Sequence, residues 1–109
     1  MVKEILTAAG VEHAQGRFLR LPNDTCAVYF DDIEVTTADR VPSSDVTPPR
    51  IYTHNVTIEV YEPAPDDATE TAIEAELDAR CLEWSKQDRY WLKDLQRYQT
   101  VYEFAYTSK

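Results

Sequence analysis

Two strand-like runs separated by one amphipathic helix constrain the fold of this chain more than any other feature. The runs at 54–61 and 98–106 are rich in β-branched and aromatic residues, which favour strands. Between them, four apolar residues share the i, i+4, i+8, i+11 spacing of a helical stripe: Ile73, Leu77, Cys81 and Trp84. The pattern predicts a helix over 67–84 that packs on a sheet through this stripe, as in an α+β domain.

Weaker signals extend this fold towards the N-terminus. A helix is predicted at about 2–9, ended by Gly10, and the connection 11–25 is predicted to be extended. A strand begins at Cys26 and is expected to turn or bulge at Asp31–Asp32. We therefore expect a mostly antiparallel sheet of three to five strands, flanked by a short N-terminal helix and one longer helix. Its expected strands are 26–35, 51–61, 97–106 and a short one at 89–93.

The segment at about 38–50 contains three of the six prolines and lacks periodicity. It is predicted to be an exposed loop that is mobile in the free subunit and becomes ordered on assembly, because long loops in compact domains are often functional. Its candidate partner-contact residues are Arg40, Val41, Pro42, Val46 and Arg50.

Length and charge limit the possible functions. A chain of 109 residues suits a single domain, 1–109, that buries roughly two-thirds of its unfolded surface. The net charge of -9 argues against binding a phosphate backbone, which requires clustered Lys and Arg. The charge is uneven: residues 51–84 carry net -8 and residues 85–109 carry net +2. Such blocks suit charge pairing within or between subunits.

The N-terminus lacks the apolar run of a signal peptide, and no segment approaches the ~20 apolar residues of a membrane span. A reducing cytosolic compartment is therefore expected, with Cys26 and Cys81 both buried and free. No membrane association is predicted.

Candidate chemistry along the chain is sparse. Glu70, Glu74 and Asp78 share one helix face, where a metal cluster is less favoured than a solvated or partner-facing acidic surface. His13 and His54 stand alone in their segments, and one histidine per segment does not define a site. We predict no enzymatic activity, no metal and no cofactor.

The order of elements, with strand endings at 27–32 and 58–61 and the closing run 98–104, resembles the tail-completion and tail-terminator proteins of long-tailed phages and prophages. These are also known as head–tail joining or minor tail proteins. The resemblance covers nearly the whole chain and carries no catalytic signature. The proline-rich segment 38–50 departs from a simple hairpin tip, which leaves open the neighbour that it contacts.

The resemblance implies a virion protein at the tail or the head–tail junction, assembled in the host cytoplasm. It implies a homo-oligomeric ring, commonly a hexamer, that caps the tail tube, meets the head connector or head-completion protein, and lets DNA pass without specific binding. Candidate subunit contacts pair an acidic set with a basic set: Glu70, Glu74 and Asp78 with Arg89, Lys93 and Arg97. The alternative is a small acidic binding or inhibitor protein, such as a DNA mimic.

Overall fold

A computed structural model describes residues 1–18, 20–37 and 50–108. In chain order the elements are α1 (Val2–Ala8), β1 (Glu12–Gln15), β2 (Cys26–Thr37), β3 (Arg50–Glu62), α2 (Asp67–Ala79), β4 (Trp84–Leu92) and β5 (Arg97–Ser108). The predicted α+β class is confirmed, as is the helix near the N-terminus. The predicted mobile loop lies outside the described residues, apart from Arg50, which begins β3.

The five strands form one mixed sheet in the order β1-β2-β3-β5-β4. The three central strands and β4 are antiparallel, as predicted, whereas β1 runs parallel to β2. The sequence did not reveal β1, because its four residues, EHAQ, have no strand-like composition. Strand β4 is also longer than the predicted 89–93, since it begins at Trp84.

The expected turn or bulge at Asp31–Asp32 is wrong. Strand β2 pairs with β3 without a register shift from Cys26↔Tyr61 to Thr37↔Arg50. Successive strand side chains point to opposite faces of the sheet. Asp31 therefore reaches a histidine on one face, whereas Asp32 is exposed on the other, and neither carboxylate interrupts the pairing.

Both helices pack on the same face of the sheet, here called the helix face; the other is the open face. The core lies between the helices and the sheet. It combines side chains of α1, α2 and the central strands, including Ile5, Leu6, Ile58, Ile73 and Leu77, each 0 % exposed. Ile73 and Leu77 are thus confirmed as the packing residues of α2. Val56, Ile58 and Val60 face this core, also as predicted.

Helix α2 begins at an N-cap, Asp66, whose carboxylate accepts a hydrogen bond from the Thr69 amide at 3.1 Å. The helix ends at Ala79 rather than at residue 84. The amides of Cys81 and Leu82 bond back to Asp78 and Leu77 at 3.0 and 3.1 Å, and Cys81 has φ 56°. This is a Schellman motif, which turns the chain out of the helix.

The helix end corrects two predictions. Cys81 is exposed rather than part of the packing stripe, whereas Cys26 is buried and free as expected. Burial raises the pKa of the Cys26 thiol to about 11. Trp84 packs against the core, but it does so from β4.

The molecule is elongated, with extents of 58 × 29 × 22 Å. We call residues 30–37, 50–55 and 105–108 the arm and the remainder the body. In the arm only β2, β3 and β5 run side by side, because β1 pairs with β2 at 26–29 and β4 pairs with β5 no further than Phe104. The arm therefore carries two strand edges without a neighbour among the described residues.

Candidate functional site

The acidic face of α2 meets the basic side chains of β4 within one subunit. Lys86 Nζ lies 2.9 Å from Glu70 Oε1 and 2.8 Å from Glu74 Oε2. The Arg89 guanidinium binds Glu70 and lies 2.7 Å from Asp67 Oδ1. These ion pairs bind the helix to the edge of the sheet, and Glu70 is only 4 % exposed.

Glu62 lies beneath this charge cluster and is completely buried. Its carboxyl accepts hydrogen bonds from the Asp66 amide at 2.6 Å and from Thr100 Oγ1 at 3.2 Å. Burial, followed by the neighbouring Glu70 charge, raises the pKa of Glu62 to about 7. Burial opposes ionisation of Glu70 as well, but hydrogen bonds from Arg89 and Lys86 hold the Glu70 pKa below its usual value. Of the two neighbouring carboxyl groups, Glu62 is therefore the one that holds a proton more readily, and Glu70 is the one that ionises more readily.

The structure divides the residues predicted to form a subunit interface. Glu70 and Arg89 are paired inside one chain, and Glu74 accepts from Lys86 and from Tyr102, so these side chains have partners within the subunit; their predicted role in a subunit interface stays a prediction. Asp78 accepts from Trp84 Nε1 at 2.8 Å. The sequence placed the two charge blocks together correctly, but it could not show that β4 folds back beside α2.

The remaining predicted residues lie elsewhere. Lys93 is exposed in the turn between β4 and β5, and Arg97 donates to the Pro22 carbonyl at 3.4 Å. Of the predicted contact loop, Arg50 is exposed at the start of β3. The other members lie outside the described residues: Arg40, Val41, Pro42 and Val46.

Ammonium and guanidinium groups occupy the space among the α2 carboxylates that a metal ion would need. Within 1–18, 20–37 and 50–108, no three His, Cys, Asp or Glu side chains are placed to hold a metal ion. The metal-cluster interpretation of Glu70, Glu74 and Asp78 therefore gains no support from the geometry.

A second polar group spans the three strands of the arm. His54 Nδ1 donates to Asp31 Oδ2 at 3.0 Å, because an ionised carboxylate can only accept. Ser108 Oγ donates to His54 Nε2 at 2.9 Å, and the imidazole stacks on Tyr106 with ring centroids 4.3 Å apart. We call Asp31, His54 and Ser108 the arm relay. Sequence reasoning missed it, although the alternation of strand residues would have placed all three on one face.

The atoms of the arm relay stand in the order of a Ser-His-Asp triad. Nucleophilic catalysis also requires oxyanion donors and a substrate pocket. The depression in this part of the sheet is lined by Asp32, Asn55 and Glu103, and strand alternation places those side chains on the open face. The relay therefore links β2, β3 and β5 of the arm without facing that depression.

Several large apolar side chains remain exposed, and most of them lie near one end of the molecule or the other; Met1 and Phe30, 45 % and 40 % exposed, lie between. On the arm, Ile33 and Val35 are 53 % and 56 % exposed. At the opposite end, Tyr90, Trp91 and Leu95 around the β4–β5 turn are 45–47 % exposed.

No protein-family model matches this chain, and no curated protein matches it in sequence. In the part of the chain that the structure describes, neither helix is long and apolar enough to span a membrane.

Proposed function

We propose that this protein is a structural virion component similar to phage tail terminators, which forms a homo-oligomeric ring, commonly a hexamer, at the end of the tail tube. The ring stops growth of the tube and joins it to the head connector or head-completion protein. The observation that carries the proposal is that large apolar side chains are exposed both on the arm and around the β4–β5 turn, at opposite ends of a 58 Å subunit. Head-to-tail assembly needs two such unlike surfaces, and it produces rings when the rotation closes.

The charge distribution supports a role as a DNA conduit. The chain carries net -9, and the body neutralises much of the acidic face of α2 internally, through Lys86 and Arg89. The remaining negative charge, including Asp32, Glu34 and Glu103, is exposed. A negatively charged channel would repel a passing duplex rather than bind it.

The test is a measurement of molar mass by light scattering across protein concentration, followed by electron microscopy of the assembled fraction. We expect rings, and we expect the protein to cap tail tubes assembled from the tube protein encoded near this gene. Rings without any binding to tubes would reject the terminator role. A strict monomer at high concentration would reject the ring.

The same geometry weakens the alternative of a DNA mimic. A mimic needs carboxylates that are free and spaced like phosphates, whereas Asp67, Glu70 and Glu74 on α2 are paired with cations of β4. An acidic binding protein of another kind would be favoured by a monomer that binds a basic protein tightly.

We also propose that the protein is not an enzyme. Ser108 should not react with a fluorophosphonate probe, since the arm relay does not face the depression that Asp32, Asn55 and Glu103 line. Labelling of the native chain that is lost on His54→Ala would overturn this proposal.

A further inference from the structure

We propose that the outer edge of β2 in one copy seats in a groove at the opposite end of a second copy, and that this is the head-to-tail contact of the assembly. The arm edge is residues 30–36. The inference names the contact within the proposed function and depends on it for the existence of an oligomer. The basal groove is lined on the open face by Gly16, Arg17, Phe18, Leu21, Val28, Glu59, Tyr61 and Leu95.

The arm edge has the properties of an unprotected strand edge. Beyond residue 29 its outer side has no strand neighbour among the described residues, and its pairing with β3 contains no bulge. Ile33 and Val35 are more than half exposed, and the exposed carboxylates of Asp32 and Glu34 alternate with them. A regular edge with apolar side chains is a template for contact with another chain.

The basal groove offers a matching apolar surface. Phe18, Leu21 and Leu95 line it from connecting segments, and Val28 and Tyr61 line it from the open face of the sheet. Its volume is about 310 Å³, within the range of pockets that bury side chains or small ligands. Leu95 is 46 % exposed, so a contact with another chain could bury much of its apolar surface.

The charges around the two surfaces are complementary. Arg17 lines the groove and is exposed, and Arg20 adjoins it, sharing Leu21 as a lining residue. Arg97 lies beside them through its contact with Pro22. Asp32 and Glu34 lie on the opposite face of β2 from Ile33 and Val35, so they meet these cations at the rim while the apolar pair enters the groove.

One acidic residue lies within the groove, Glu59, whose carboxylate accepts from the Tyr61 hydroxyl at 3.1 Å. Exposed ion pairs contribute little individually, so the charges set the orientation of the contact. Ile33 and Val35, entering the groove, provide most of the buried apolar area. Both kinds of contact are needed for the arm edge to select the groove.

The edge of the sheet that β4 forms is a poorer partner for the arm edge. Strand β4 has a register shift between Gln87 and Tyr90, and bulges of this kind prevent edge-to-edge pairing. Its cations Lys86 and Arg89 are already paired with carboxylates of α2. The basal groove, with its exposed Arg17 and Arg20, has both the apolar surface and the free charge.

The two surfaces are far enough apart to generate an assembly. Val35 on the arm edge is seven residue steps along β2 from Val28 in the groove, which is roughly 23 Å at 3.3 Å per residue. The arm of each copy therefore reaches a different copy, and the same contact repeats around a closed ring.

Charge reversal tests the contact in both directions. The arm variant is Asp32→Lys with Glu34→Lys, and the groove variant is Arg17→Glu with Arg20→Glu; all four side chains are exposed, so the fold should be retained. Light scattering and analytical ultracentrifugation would follow assembly, and circular dichroism would verify folding. We expect each variant alone to weaken association at least tenfold relative to the native chain.

The decisive measurement is a mixture of the two variants. A lysine arm fits a glutamate groove, and the native arm of the groove variant fits the native groove of the arm variant. An equimolar mixture should therefore regain assembly, with the variants alternating around the ring, as should a single chain that carries all four substitutions. A matched control is Glu83→Lys with Asp88→Lys, which changes the net charge by the same amount as the arm variant, on exposed positions that line neither surface, and should assemble normally.

Each outcome bears on one proposal. Variants that assemble as well as the native chain, or a mixture that fails to regain assembly, would overturn the arm-in-groove contact while leaving the ring standing. A native chain that assembles through this contact but ignores tail tubes would overturn the proposed function and retain the contact. A native chain that never associates would overturn both.

Discussion

The body and the arm of this molecule use the same three strands in different ways. In the body two helices cover the helix face, and the buried apolar core lies there. In the arm the strands continue beyond the helices, and Ile33 and Val35 are exposed on the face that the body covers. The same alternating pattern thus builds a core at one end of β2 and an exposed apolar surface at the other.

The acidic side chains differ between the regions as well. In the body, Glu70 and Glu74 are neutralised by cations of β4, and Glu62 is buried with a raised pKa. In the arm, Asp31 bonds His54, while Asp32 and Glu34 are exposed. In the body these acidic side chains are thus buried or paired, whereas the arm keeps two of its three carboxylates exposed.

The largest expected effect separates the two regions directly. Leu77→Ala in the body should lower the free energy of unfolding by roughly 2–5 kcal/mol, because Leu77 is 0 % exposed in the core. Ile33→Ala on the arm should change the same quantity by no more than about 0.5 kcal/mol, because the side chain is already 53 % exposed.

Urea denaturation of the dilute monomer, followed by circular dichroism, would measure both variants. A low protein concentration matters, because self-association would add stability to the native chain and mask the comparison. Equal losses for Leu77→Ala and Ile33→Ala would refute the division into body and arm.

The second effect concerns pH and belongs to the body. Glu62 has a folded-state pKa of about 7 against an ordinary 4.5, so the folded chain retains a proton that the unfolded chain loses. Its contribution to stability is therefore fully present below about pH 4.5 and is lost as the pH rises to 7. Glu62→Gln imitates the protonated form and should raise stability at pH 8 by about 1–2 kcal/mol, with little change at pH 4.5.

The acid limb provides an internal control for this variant. The pKa values of Asp66 and Glu70 are lowered, so their contributions are present at neutral pH and are lost as the pH falls below their ordinary values. Glu62→Gln should leave this acid-induced loss in place. Thermal melts from pH 3 to 8 would check the prediction, and a Gln variant less stable than the native chain at pH 8 would contradict it.

These regions also show what sequence alone could and could not predict. The central strands and the packing role of Ile73 and Leu77 follow from local periodicity, which needs no knowledge of neighbours. Helix α2 was predicted to continue to residue 84 because Cys81 continues the apolar spacing. In the structure the helix ends at Ala79, and Cys81 adopts a positive φ in the Schellman motif. Cysteine is not a residue that typically signals such a turn.

The candidate sites were harder to predict because they depend on long-range pairing. Lys86 and Arg89 meet Glu70 only because β4 returns beside α2, and Asp31 meets His54 and Ser108 only in the observed register. Charge blocks along a sequence indicate that ions will pair, but they do not fix the partners. The resemblance to phage tail proteins also stays a prediction, because it rests on the order of elements and no protein-family model matches the chain.

The third effect is on the free energy of unfolding and concerns the C-terminal ends of the two helices of the body. Both helices end in a Schellman motif, but α1 uses Gly10 with φ 75° and α2 uses Cys81 with φ 56°. A side chain in this left-handed conformation costs roughly 1–2 kcal/mol relative to glycine. Cys81→Gly should therefore stabilise the chain by about 1 kcal/mol, and Gly10→Ala should destabilise it by a similar amount.

Nothing lies within 4 Å of a Cβ built on Gly10, so the cost of alanine there is one of backbone conformation. Thermal melts of both variants, under reducing conditions, would measure the two shifts. Shifts of the same sign would show that the caps are not equivalent.

The smallest global effect tests whether the arm opens independently of the body. His54→Ala removes both hydrogen bonds of the arm relay and the stacking on Tyr106. Hydrogen bonds of this kind contribute roughly 0.5–1.5 kcal/mol each, and here they join arm strands beyond the main core. Amide exchange at 52–56 and 105–108 should therefore quicken about tenfold, while the free energy of unfolding falls by less than about 1 kcal/mol.

Hydrogen exchange with mass spectrometry would resolve the two regions, and Asn55→Ala, exposed on the open face of the same strand, is the matched control. If exchange in β2 around Ala27 and in α2 quickened as much as in the arm, the arm and the body would be a single cooperative unit. The arm edge would then be held as firmly as the core, and its contact with a second copy would be a rigid docking.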